Sequence, residues 1–411
     1  MDTATPDRAT ATPDRATATP DHATATPDRA TATPPELSYV LTDEQRQLQE
    51  MVRDLFGDRA TPERVREVML GEADAAYDTT LWQELANYGL LGLTIPAEHG
   101  GAGASFAELA IVLEEAGRRL APVPLLSSTV LGTEALLGAG TEEQLAAHLP
   151  DVAAGATRLA LAHLDVGGDL LAPPGVHASR AGDSWHLDGT AAYVIDGASA
   201  TQLVVAARTE TGGLELFLLS GDAVGVSRTE VEVLDLARPL ATIELAGVEV
   251  AEADRLSGGD AMDALHRALS AGVVAIAVEQ VGGIQQTLAS TTAYARDRIQ
   301  FGRAIGSFQA IKHRLADMLV ELESARSAAL HAARALAAGE REELAIAAPL
   351  AKSYCSEVFE RSAADGIQLF GGIGFTWEHD QHLYLKRAKA TKLLLGDPKH
   401  HRALLGELLG L

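Results

Sequence analysis

The sequence predicts a multidomain α+β protein in which two helical domains flank a β-rich middle domain. Three observations carry that expectation. At 411 residues the chain is long enough for two or three domains with a sizeable core. Its composition, 47% hydrophobic and 22% charged, is that of a globular protein. Finally, the hydrophobic period changes twice along the chain, from helical to alternating and back to helical.

The first 36 residues stand apart. They repeat the heptapeptide Ala-Thr-Pro-Asp-Arg-Ala-Thr, with His22 once in place of arginine, and end near Pro35. A seven-residue period suggests a coiled coil, but no apolar a and d positions are present and every unit carries a proline. With nothing to bury, this segment is expected to be disordered and outside the fold.

Helix is expected from residue 37 to about residue 154. In "LTDEQRQLQEMVRDLF", Thr42 followed by Gln45 three residues later is a capping-box pattern. "DTTLWQELANYGLLGLTIPAEHGG" reads as a helix that ends at Gly89, then a loop broken by Pro96 and Gly100-Gly101. "SFAELAIVLEEAGRRLAPVP" is a further amphipathic helix, closed by Pro122 and Pro124.

Residues 155–255 alternate instead. "SWHLDGTAAYVIDGASATQLVVAAR" is expected to turn at Asp188-Gly189, and "LELFLLS" and "ATIELAGVEV" follow as strands. From residue 256 to the end helix returns. There Ile311, Leu315, Met318, Leu322 and Ala325 recur at steps of four and three, one face of a helix.

The formal charge of −24 argues against a nucleic-acid partner, whose phosphates need a basic face. The single cysteine, Cys355, excludes an internal disulfide framework. No signal-peptide pattern is present, and Gly, Pro or charge interrupts every apolar stretch before membrane-spanning length, so a cytoplasmic location is expected. His379, His382, His400 and His401 lack the cysteines or clustered acids that would complete a metal site, so no metal is expected.

Two C-terminal motifs carry a resemblance. "YARDRIQFGRAIGSFQAIKHRLADM", residues 294–318, and "QLFGGIGF", residues 368–375, resemble the two signatures of the acyl-CoA dehydrogenase family. "LWQELANYGLLGLTIPAEHGGAG" is similar to that family's usual opening, and the resemblance covers about residues 38–402. It implies an N-terminal helical domain, a middle β-barrel and a C-terminal four-helix bundle. Here these correspond to residues 37–154, 155–255 and 256–411. It also implies an FAD cofactor, an acyl-CoA substrate, assembly as a dimer or dimer of dimers, and electron-transfer flavoprotein as the electron acceptor.

By the same resemblance, Arg298 would meet the FAD pyrophosphate of a neighbouring subunit, a role suited to a bidentate guanidinium. Phe301 and Phe308 would wall the adenosine end, and Gln300 and Gln309 offer amide hydrogen bonds. Gln368, Gly371 and Gly372 would line the adenine–pyrophosphate side, the glycines because backbone without Cβ approaches a ligand closely. In the middle domain the matching stretches are residues 162–169 and Tyr193-Val194-Ile195, where Ile195 replaces a threonine that would bond the flavin ring.

The family's chemistry removes an α-proton from the thioester as hydride leaves the β-carbon. The α-C–H is a weak acid, so a carboxylate is required in a dry pocket. The resemblance places that glutamate at one of two positions, which here are Leu395 and Gly272. Neither accepts a proton. Three readings follow. The base has moved, with Asp397 and Glu279 as candidates and Glu378 a further acid nearby. Or the chain is one subunit of a hetero-oligomer whose partner, a second acyl-CoA dehydrogenase subunit, carries the glutamate. "GFTWEHD" is similar to such heteromeric dehydrogenases of bulky CoA thioesters. Or the fold serves as a flavin oxygenase or a non-catalytic binding protein.

Overall fold

The computed structural model describes residues 41–411 with the exception of Asp74. The N-terminal repeat, and the disorder expected of it, lie outside the described residues.

Six helices open the described chain: α1 (Asp43–Arg59), α2 (Pro62–Met69), α3 (Thr79–Asn87), α4 (Phe106–Arg119), α5 (Thr133–Ala139) and α6 (Glu142–Ala153). α1 starts as its sequence requires. The Thr42 hydroxyl accepts the Gln45 N–H, and the Gln45 side chain accepts the Thr42 N–H. Between α4 and α5, residues Leu125–Gly132 form a fully buried π-helical stretch.

The middle strands are β1 (Leu159–Ala162), β2 (Val176–Ala181), β3 (Ser184–Ile195), β4 (Gln202–Thr209), β5 (Leu214–Ser220), β6 (Val226–Val231), β7 (Leu240–Ala251) and β8 (Arg255–Leu256). They form one mixed sheet in the order β6-β7-β3-β2-β4-β5-β8, with β1 added in parallel to β4. The barrel implied by resemblance is thus, in hydrogen-bond terms, a branched path of eight strands.

The expected turn at Asp188-Gly189 is absent. β3 runs through it as a bulge, with a register shift between Leu187 and Gly189 against β7. Gly189 has φ +133°, and a Cβ there would lie 2.3 Å from the Gly175 carbonyl oxygen. The glycine serves close backbone approach rather than reversal. The hairpin instead turns between Ala181 and Ser184, which pair directly.

Strands β4 and β5 have two buried faces. Val204, Ala206, Leu216 and Leu218 join the helical core, whereas Leu203, Val205, Ala207 and Phe217 form the sheet's own core. That is why "LVVAA" reads as a continuous apolar run.

The C-terminal part contains α7 (Ala261–Asp297), the hairpin β9 (Ile299–Gln300) and β10 (Arg303–Ala304), α8 (Gln309–Ala338), α9 (Arg341–Phe370), α10 (Gln381–Leu393) and α11 (Pro398–Leu409). α7 is apolar and long enough to cross a bilayer by composition, but 67% of its most apolar window is buried against the rest of the protein. It occupies the place of a core helix. On α8 the expected stripe is real from Met318 through Leu322 to Ala325, all buried.

Candidate active site

A cavity of about 850 Å³ opens where the three parts meet. Leu131 comes from the π-helical stretch, and Leu161, His163, Leu164, Gly167 and Gly168 from β1 and the loop after it. Tyr193 and Ile195 come from β3, and Arg238 from the approach to β7. Its floor is the segment joining α10 to α11, Leu393 to Asp397. The structure therefore brings the 162–169 stretch, Tyr193, Ile195 and Leu395 into one space, although they lie far apart in sequence.

Positions 395 and 272 also converge. A Cβ added at Gly272 would lie 2.7 Å from Leu395 Cδ1 and 2.6 Å from Leu131 Cδ2. The two places where resemblance would put a glutamate thus compete for one volume, and a leucine fills it. Backbone strain gathers here as well. Among the described residues, five non-glycine residues have positive φ, and two of them, Tyr193 and Leu395, both at +54°, line the cavity.

Of the candidate bases, Asp397 lines the cavity, but its carboxylate caps α11, accepting the His400 N–H at 2.7 Å. Hydrogen bonding to that backbone holds its pKa below the ordinary aspartate value, so it stays an anion and a poor proton acceptor. Glu279 is outside the cavity lining. Both its oxygens accept from Arg238 Nη2, at 2.9 and 2.7 Å, and both residues are buried. Glu378 is exposed and also lies outside the lining.

The remaining predicted residues lie elsewhere. Arg298, Gln300, Phe301, Gln309, Gln368, Gly371 and Gly372 are exposed and do not line the cavity. They still share one end of the bundle. The Tyr294 and Phe370 rings stack at 4.2 Å, joining the C-terminus of α7 to that of α9, so the β9–β10 hairpin stands beside the Gly371–Phe375 turn. Phe308 lies under Arg303 and edge-on to Phe301. The Arg298 side chain has no hydrogen bond or ion pair with any described residue. It is free to meet a ligand beyond this chain.

Polar side chains that the sequence reading did not single out also meet at the site, His163 half-buried within the 162–169 stretch and Arg238 buried. His163 is pushed down to about pKa 4 by burial, and its Nε2 has no partner among the described residues. One guanidinium nitrogen of Arg238 is likewise unpartnered. A ring system with polar edges, such as a flavin, would satisfy both, so the lining fits an FAD isoalloxazine. Arg387 pairs with Asp235 across the same wall, and Asp196 accepts from Ser127 at 2.5 Å. The basic run Lys386, Arg387 and Lys389 divides three ways. Lys386 lies 4.7 Å over the exposed Trp377 ring, Arg387 is buried against Asp235, and Lys389 pairs with Glu360 at the cavity edge. One signal was available for the buried cations: Lys352 lies on the apolar stripe of α9, four residues from Ala348 and three from Cys355.

Comparison with known proteins places this architecture. The acyl-CoA dehydrogenase N-terminal domain family matches residues 42–156, and the acyl-CoA dehydrogenase C-terminal domain family matches residues 260–409. The chain is 34% identical over 360 residues to acyl-CoA dehydrogenase IpdE2 of Mycolicibacterium smegmatis, spanning 87% of this chain and 96% of that protein. IpdE2 of Mycobacterium tuberculosis is 35% identical, spanning 87% and 94%. Among solved structures, a Tcur3481–Tcur3483 steroid ACAD variant superposes with TM-score 0.80 at 34% identity, covering 89% of this chain and 98% of that one. The ChsE4–ChsE5 complex of M. tuberculosis gives TM-score 0.82 at 29% identity, covering 90% and 98%.

Proposed function

This chain belongs to the acyl-CoA dehydrogenase family, which is FAD-dependent, and from that premise we propose that it is the baseless subunit of a hetero-oligomeric dehydrogenase that α,β-desaturates a CoA thioester. The observation that carries the proposal is the contact of Leu395 with the open face of Gly272. Both places for a proton acceptor are apolar, and they occupy one another's space. FAD, when bound, supplies hydride acceptance, but hydride transfer needs the α-proton removed in step. In this chain the two nearby carboxylates named for that task are engaged, Asp397 as a helix cap and Glu279 by Arg238.

The bundle end supports a service to a partner. Arg298, Gln300, Gln309 and Gln368 are exposed together, beside the exposed ring of Phe301, and would hold the phosphate and adenine end of a cofactor lodged mainly in a neighbouring subunit. The similarity to the two-component Tcur3481–Tcur3483 and ChsE4–ChsE5 complexes points the same way. A lone buried thiol, Cys355, suits the cytoplasmic location proposed for it.

The test is purification of the chain alone and together with an acyl-CoA dehydrogenase subunit encoded beside it. FAD per chain and anaerobic bleaching by straight-chain and steroid-derived acyl-CoA thioesters would be measured. Bleaching only in the mixed assembly, surviving Asp397→Asn in this chain, is the expected result. Full activity of this chain alone would end the proposal.

A further inference from the structure

Lys352 lies in the middle of α9 with 0% of its surface exposed. Its Nζ donates to three oxygens: the Gly396 carbonyl at 2.9 Å, the Lys392 carbonyl at 3.2 Å and the Ser356 hydroxyl at 3.2 Å. No carboxylate is among its partners. One of the three acceptors, the Gly396 carbonyl, belongs to the segment that forms the cavity floor, and a second, that of Lys392, lies in the last turn of α10 immediately before it. Taking an ammonium out of water without a counter-ion is costly, and burial pushes this amine down to about pKa 7. Such a group persists where its acceptors are held in good geometry around it.

The same segment is gripped from its other side. His401 Nε2 lies 2.9 Å from the Leu395 carbonyl oxygen, and burial pushes that imidazole down to about pKa 4, so it donates as the neutral ring. Leu395 and Gly396 both take left-handed backbone, at φ +54° and +98°. A Cβ on Gly396 would lie 2.7 Å from the His400 ring and 2.8 Å from the His401 ring. The floor is thus a strained two-residue turn held between α9 and α11.

We propose that Lys352 is a positioning residue for this floor. By tying the Lys392 and Gly396 carbonyls to α9, it fixes the direction in which position 395 enters the cavity, whatever side chain stands there. The charged and titratable groups around it are Cys355 on α9, Lys392 on α10, Asp397 at the N-cap of α11 and His401 on α11. The clamp deepens the proposed function, because it explains how the turn keeps its shape although its side chain is leucine. Its test needs neither flavin nor thioester, so failure of one leaves the other standing.

The chain's own chemistry supplies the probe. Its single thiol, Cys355, is fully buried and pushed up to about pKa 12, hence silent toward a disulfide reagent. Leu395→Cys adds a second thiol at a position that is 7% exposed. Full-length Leu395→Cys is compared with Leu395→Cys/Lys352→Met, using dithionitrobenzoate at pH 7.5 (about neutral, where a thiol of ordinary acidity is partly ionised) and mass spectrometry to locate the modified residue. Removing the clamp should speed modification at position 395 by ~10-fold or more, with Cys355 still protected, the pattern of local opening. An unchanged rate overturns the proposal. So does equal exposure of Cys355, which would make Lys352 a determinant of the whole bundle. Lys352→Gln, too short to reach both carbonyls, gives the same comparison if the methionine variant does not accumulate.

Discussion

Leu395 holds a left-handed backbone conformation that costs a non-glycine residue about 1–2 kcal/mol. Its side chain meets Leu131 and the bare face of Gly272. A carboxylate placed there would enter an apolar corner, and burial would lift its pKa above the ordinary glutamate value. The sign follows: a group whose folded pKa is raised favours the fold at low pH and loses that contribution as pH rises through the folded value. Leu395→Glu should therefore melt close to the parent near pH 4 and fall behind it by about 1–3 kcal/mol near pH 8, measured by calorimetry at both pH values. His401 has the opposite sign. Its folded value of about 4 lies below the ordinary imidazole value of 6.5, so the neutral ring contributes stability above pH 6.5 that is lost as pH falls toward 4. His401→Gln should flatten the dependence of stability on pH across that window by up to one proton, read from urea midpoints between pH 4 and 7.

At the scale of the element, the β9–β10 hairpin is the part built most plainly for something outside this chain. Its turn is Phe301-Gly302, with φ of +52° and +76°, two consecutive left-handed residues that suit a tight hairpin. Phe301 at the tip is 92% exposed. Since the Arg298 side chain has no partner among the described residues, Arg298→Ala should leave the melting temperature of flavin-free protein unchanged, within the ~0.5 kcal/mol expected of a surface substitution. The same variant should lose flavin from the assembled protein, read as absorbance per chain after gel filtration. Retention of stoichiometric FAD would contradict the role given to Arg298. The hairpin itself was not legible, since helix was expected across residues 256–411, whereas helix starts and stripes were, because their determinants are local. The Thr42–Gln45 capping box needs three residues of context, and the Met318–Leu322–Ala325 stripe needs two turns of helix. Asp188-Gly189 misleads for the same reason. Locally it is a turn dipeptide, and only the approach of the Gly175 carbonyl, set by pairing with β2, makes it a bulge. Lys352 was half legible, as a cation on an apolar stripe, but two of its three acceptors are backbone carbonyls forty residues and more away, which no side-chain pattern records.

At the scale of the molecule, two buried ion pairs tie the middle sheet to the C-terminal helices. Arg238, just before β7, meets Glu279 of α7 across 41 residues, and Asp235 meets Arg387 of α10 across 152. Neither partner announces the other in sequence, and this is why Glu279 reads there as a free acid near Gly272. A buried pair of this sort contributes little net stability as a pair, because both charges are desolvated. Breaking it is another matter, since one charge is then left buried and alone. Glu279→Ala should cost about 3–5 kcal/mol in urea unfolding, and Glu279→Leu combined with Arg238→Met should recover most of that loss. The two readings of Glu279 separate cleanly on the milder change. If its work is structural, Glu279→Gln lowers stability while the assembled protein, where folded, is still bleached by thioester at an undiminished rate. If it is a relocated base, Glu279→Gln lowers that rate by ~100-fold or more and leaves unfolding where it was. The geometry favours the first outcome, because both Glu279 oxygens face Arg238 and the residue lies outside the cavity lining. The second would remove the ground for assigning the proton acceptor to a partner subunit.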